Sequence, residues 1–134
     1  MPSSVQLIRA TTLSNAEYAY AATAPKDARL IFLAGSCPLD DNGTTVAVGD
    51  YAGQAAACVE TMKHALAAAG ATIEDVISTR VLVASSTRTD LVAAWKVVRD
   101  AFGEHDVPST LIGVTVLGYD DQLVELEVVA AVVD

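Results

Sequence analysis

The sequence predicts one α+β domain, a mixed sheet with two helices packed on one of its faces. Two stretches carry apolar residues at helical spacing, and they are separated and followed by β-rich runs. Read in order, the elements are β-β-β-α-β-α-β-β. Their 134 residues are enough for one domain with a proper core.

"EYAYAATA" (17–24) alternates weakly and "ARLIFLAGS" (28–36) is a continuous apolar run. The intervening "PKD" reads as a turn, so these two strands are expected to form a hairpin. "DDNG" (40–43) is a second turn, and "TTVAVG" (44–49) a short strand after it. Asp50 suits the N-cap of a helix ending at Gly70, where glycine tolerates the left-handed C-terminal position. Tyr51, Ala55, Cys58, Met62, Leu66 and Ala69 then share one face.

"TIED" (72–75) has the form of a capping box, but it leads at once into "VISTRVLVA" (76–84), so it is expected as a turn before a strand. The second helix starts near Thr89 or Asp90 and closes at Gly103. Its stripe is Leu91, Ala94, Trp95, Val98, Ala101 and Phe102. "TLIGVTVL" (110–117) and "QLVELEVVAAVV" (122–133) are strands joined by the acidic "GYDD".

Two helices cover only one face of such a sheet. The other face retains Val, Leu and Ile, a large apolar patch if left wet, so an oligomer that buries it is expected.

Composition narrows the partners. Eight Lys+Arg against 17 Asp+Glu leave a net charge of −9. That balance offers no basic footprint for nucleic acid and disfavours polyanionic membranes. No apolar run reaches the length of a membrane span, and "MPSSVQLIRA" lacks the pattern of a signal peptide, so a cytoplasmic protein is expected. Cys37 and Cys58 fit no metal-ligand spacing and read as free thiols. Gly35 and Gly43 answer backbone needs, since no glycine-rich strand-to-helix loop is present. Neither a metal nor a cofactor is expected.

The strings "AGSCPLD", "GD.AGQ", "AAAG" before "IEDVISTRVLV", "DLVAAWKVVRDAFGEH", "GVTVL" and "LVELEVVAAV" occur in order across residues 17 to 133. In this order and spacing the chain resembles the Rid family, also called YjgF, the reactive-intermediate deaminases. The resemblance implies a chorismate-mutase-like α+β fold assembled as a homotrimer. The open sheet faces would form a central barrel-like core, with a small-molecule cleft at each subunit interface. It also implies hydrolysis of imines and enamines, such as 2-aminoacrylate, to 2-keto acids and ammonia.

Carried over position by position, the family's pocket tyrosine matches Tyr18, its glycine after the second strand Gly35, and its last-strand carboxylate Glu125. The serine before that glycine is Ala34 here, and the asparagine one turn into the second helix is Trp95. The arginine that clamps the substrate carboxylate falls on Ser109, counted from Gly113, or on Thr110, counted from Pro108. Neither register supplies an arginine. Leu111, just beyond, is a further ligand-lining candidate.

An arginine fork makes two parallel hydrogen bonds to a carboxylate. Each is worth on the order of 1.5–3 kcal/mol. The expected function is therefore that of a divergent member, binding or processing a small metabolite without efficient 2-iminoacid deamination. Imine or enamine hydrolysis, and a non-catalytic sensor or scaffold, are the alternatives.

Glu125 and Glu127 lie two apart on a strand, so both point the same way. Glu125 is the candidate general base or water-holder. The competing reading is one interface ion-pair partner and one solvated acid. Arg80, alone in an apolar strand, is either a relocated clamp or the cation that neutralises one of these glutamates. Trp95 reads as core with an edge available to the cleft. Tyr18 is a pocket hydrogen-bonder or an ordinary strand residue. Cys37, close after Gly35 near the expected cleft, is a candidate nucleophile or a buried inert thiol; with no activating base in sequence the inert reading is preferred. His64 reads as solvated and His105 as a loop residue.

Overall fold

Asp50 and the apolar stripe behind it build the first helix. In the computed structural model, which describes residues 3–134, the Asp50 carboxylate accepts the Gly53 N–H at 2.9 Å. Helix α1 then runs Tyr51–Ala68, and Gly70 just beyond it has φ +81°. The strands are β1 (Gln6–Ile8), β2 (Ala21–Thr23), β3 (Arg29–Phe32), β4 (Val76–Ala84), β5 (Ser109–Val114) and β6 (Val124–Val132). Helix α2 (Arg88–Phe102) links β4 to β5.

Strands β3, β6, β4 and β5 lie side by side in that order, while β1 pairs with β2 in a separate ribbon. β4 is parallel to β5 and antiparallel to β6, because α2 carries the chain back across the sheet between β4 and β5. Both helices pack on one face, α1 over β6 and α2 over β4 and β5. Val81 and Val83 of β4, with Val124, Leu126 and Val128 of β6, supply the sheet side of that core. Cys58, Met62, Leu66, Ala94 and Val98 supply the helix side. The predicted stripes of both helices are thus the buried ones, with Tyr51, Ala69, Leu91, Trp95 and Ala101 at their half-buried margins.

Three local expectations are corrected, one strand is new, and one expected turn is present. The 17–24 and 28–36 stretches do not form a hairpin: β2 pairs with β1, and β3 pairs with β6. Only Ala21–Thr23 of the first stretch is strand, and Tyr18 sits in a bend before it. Residues 44–49 make a single bridge, Leu39 to Thr45, because positive φ at Ala47 (50°) and Gly49 (79°) breaks the extended path. The strand Gln6–Ile8 was not anticipated, since three residues carry too little periodicity to read. "TIED" is a single 3₁₀ turn with its capping box formed, Thr72 with Asp75.

Candidate functional site

Register decides which side chains meet. Across the sheet, Arg80 pairs with Glu127 and with Thr110, and Leu82 pairs with Glu125 and with Ile112. These alternate with the buried valines, so they face away from the helices. Leu30 and Phe32 share that open side at 54% and 73% exposure, an apolar border to the acidic row.

The segment after β3 completes the site. Leu33 N–H reaches the Val128 carbonyl at 3.3 Å and Ser36 N–H the Leu126 carbonyl at 2.8 Å. Three residues on this strand therefore advance against two on β6, the offset of a β-bulge. The bulge sets Gly35 and Cys37 beside Glu125. The Cys37 thiol donates to Glu125 Oε1 at 3.2 Å, and the Gln122 amide donates to the same oxygen at 3.2 Å. A Cβ on Gly35 would lie 2.6 Å from Glu125 Oε2, so a side chain there would displace the carboxylate.

Each partner is held in turn. Gln122 is buried; its carbonyl oxygen accepts the Tyr119 N–H at 3.1 Å and its amide also donates to the Val124 carbonyl at 3.1 Å. The Thr61 hydroxyl donates to the Cys37 carbonyl at 3.0 Å. Burial, then the hydrogen bond and charge of Glu125, push the Cys37 thiol up to about 11. At neutral pH it is a protonated donor rather than a nucleophile.

Arg80 Nη1 stands 3.7 Å from Glu127 Oε2, both side chains well exposed. Of its two predicted roles, the geometry matches neutralisation of a glutamate. An open groove of about 140 Å³ runs past this pair, lined also by Phe32, Ser78 and Val129.

Other predicted residues gather elsewhere. Ser109 faces the helices, where it accepts from Thr79 Oγ1 and donates to the Val107 carbonyl, both at 2.8 Å. Leu111 pairs with Val81 and packs against the core. The Tyr18 and Trp95 rings meet edge-on at 6.4 Å, and Trp95 Nε1 donates to Glu17 Oε2 at 2.9 Å. Arg99 donates to the same oxygen at 2.9 Å, and it, then Trp95, hold the exposed Glu17 carboxyl below its usual range. Within one chain, then, Gly35, Cys37 and Glu125 come together, with Arg80 and Glu127 one row away. Tyr18, Trp95 and Ser109 belong to the α2 side.

His64 is exposed, and His105 Nε2 lies 2.8 Å from the Val76 carbonyl at the start of β4. A groove of about 500 Å³ at the ends of β4 and β5, by Arg88 and Gly113, includes none of the Glu125 group. Among the described residues no cluster of three His, Cys, Asp or Glu is arranged for a metal ion.

Gln122 was missed by sequence reading, where it is only the polar first residue of the last expected strand; its one signal was its place three residues before Glu125. Thr110 was the second of two registers, and its side chain is the one on the open face.

Residues 11–132 match the family described as Endoribonuclease L-PSP. The chain belongs to the Rid/YjgF family. A Rid-family protein of unknown function from Yersinia pestis, YyfB, superposes with a TM-score of 0.89 at 24% identity, covering 96% of this chain and 99% of that one. A member of the YjgF/YER057c/UK114 family from Mycobacterium tuberculosis superposes with a TM-score of 0.65 at 27% identity, covering 96% and 100%. The Rid domain is also similar to the 3-aminoacrylate deaminase RutC of Acinetobacter baylyi, 42% identical over 53 residues. That match spans 40% of this chain and 42% of the relative. Among the described residues no helix is long and apolar enough to cross a membrane.

Proposed function

We propose that this chain is a divergent Rid protein that binds or processes a small metabolite beside Glu125 without efficient 2-iminoacid deamination. In this reading the cleft is completed by neighbouring copies in a homotrimer. The observation that carries it is Thr110. It occupies the open-face position that one register assigns to the family's arginine, while Ser109, the other candidate, is turned to the helices. Nearby Arg80 is shared with Glu127. A carboxylate ligand thus lacks its fork of donors, a loss of about tenfold to several-hundredfold in affinity.

The test measures ammonia release from freshly generated 2-aminoacrylate by the wild type and by Thr110→Arg and Ser109→Arg. Low wild-type turnover and a gain confined to Thr110→Arg are expected. Wild-type rates matching an arginine-bearing relative would sink the divergent reading.

An enamine hydrolase is the second reading, favoured by the similarity to RutC. There Glu125 Oε2 holds the attacking water, and Cys37 and Gln122 keep the carboxylate oriented. The same assay separates the two. A sensor or scaffold would bind ligand with no ammonia released. The acidic balance, −9 overall, supports neither an RNA substrate nor an anionic membrane partner.

A further inference from the structure

The hydrogen bonds around Glu125 bear on the chemistry of a ligand held beside it. Both donors fall on Oε1, which leaves Oε2 facing Gly35. An ionised carboxylate only accepts hydrogen bonds. The thiol proton of Cys37 lies nearer Oε1, at 3.2 Å, than the Gly35 carbonyl, at 3.5 Å; one amide proton of Gln122 is on Oε1 and the other on the Val124 carbonyl. What this cradle presents to a ligand is therefore one negatively charged acceptor. Arg80 is the one cation among the β4, β5 and β6 residues, and it lies 3.7 Å from Glu127. A bound carboxylate would face the Glu125 charge with no uncommitted cation beside it, whereas an N–H group finds a ready partner.

We propose that Cys37 and Gln122 are positioning residues that commit Glu125 Oε2 to a nitrogen of an uncharged or cationic amine, amide or imine, so that the cleft discriminates against carboxylates. This rests on the cleft reading above. Thiol and amide work as a pair: Gln122 is fixed by Tyr119 and Val124, and Cys37 by Thr61, so the carboxylate has little freedom to turn Oε2 away. Because Gly35 has no side chain, the carboxylate lies close against its backbone, where a Cβ would meet Oε2 at 2.6 Å.

Butylamine, butyramide and butyrate share one shape and carry three different charges, so an amide-resolved NMR titration of the full-length protein with each tests the idea. Butylamine and butyramide are expected to move the resonances of Gly35 and Glu125, with butyrate weaker by about tenfold or more. Glu125→Gln should weaken butylamine about tenfold. Cys37→Ala and Gln122→Leu should each weaken it severalfold, and Cys37→Ser, which keeps a donor, should restore it.

Positioning has its own readout in the pH profile of Cys37 alkylation, followed by mass spectrometry so that Cys58 is scored separately. Glu125→Gln should move that profile to lower pH. An unmoved profile overturns the thiol–carboxylate coupling. Butyrate binding at Gly35 more tightly than butylamine overturns the charge preference but leaves the cleft reading standing. Failure of all three probes to move Gly35 overturns both.

Discussion

Cys37 shows how far a single residue's chemistry depends on where the chain puts it. Its thiol is pushed from 9.0 up to about 11, by burial first and then by Glu125. The buried Cys58 is raised too, by burial above all. Because folding favours the protonated thiol, this contribution to stability is complete below the unfolded value near 9.0 and is lost as pH climbs through about 11. Urea unfolding across that window should show falling stability, and Cys37→Ser should flatten the fall. An unchanged slope would mean Cys37 does not carry it. At Gly35, alanine puts a methyl 2.6 Å from Glu125 Oε2. Gly35→Ala should abolish the response of this region to butylamine while shifting the melting temperature little, since Gly35 is exposed and lies outside the left-handed region.

At the scale of elements, stability resides in the helix layer. Leu66 and Met62 are fully buried, so Leu66→Ala should cost about 2–5 kcal/mol in urea unfolding. Asp50→Ala removes a helix cap and should cost about 1 kcal/mol. The exposed Arg80–Glu127 pair belongs at the other end of the scale. Glu127→Gln should change stability by less than about 1 kcal/mol.

The same division explains what could be read in advance. α1, α2, β4 and β6 are long enough for their period to show, and each was placed to within a few residues. The 44–49 segment looked like a strand by composition, yet Ala47 and Gly49 take conformations that composition does not report. The expected hairpin failed because β3 finds its partner in β6, about a hundred residues later in the chain.

For the whole molecule, the exposed Leu30 and Phe32 mark the face that the proposed trimer would bury. Phe32→Glu should therefore lower the sedimenting mass toward that of a monomer while leaving the helical circular dichroism intact. A wild type that sediments as a monomer would refute the trimer.

By itself the sequence determined the α+β class, the two helices and their buried faces, the acidic balance, and the absence of arginine at both Ser109 and Thr110, because period, capping and charge are local properties. Only the tertiary structure decided that Thr110 rather than Ser109 shares a face with Arg80, and that Cys37 and Gln122 converge on one oxygen of Glu125. Those depend on strand register and on a bulge at Gly35. A shift of one residue in either turns every side chain to the opposite face.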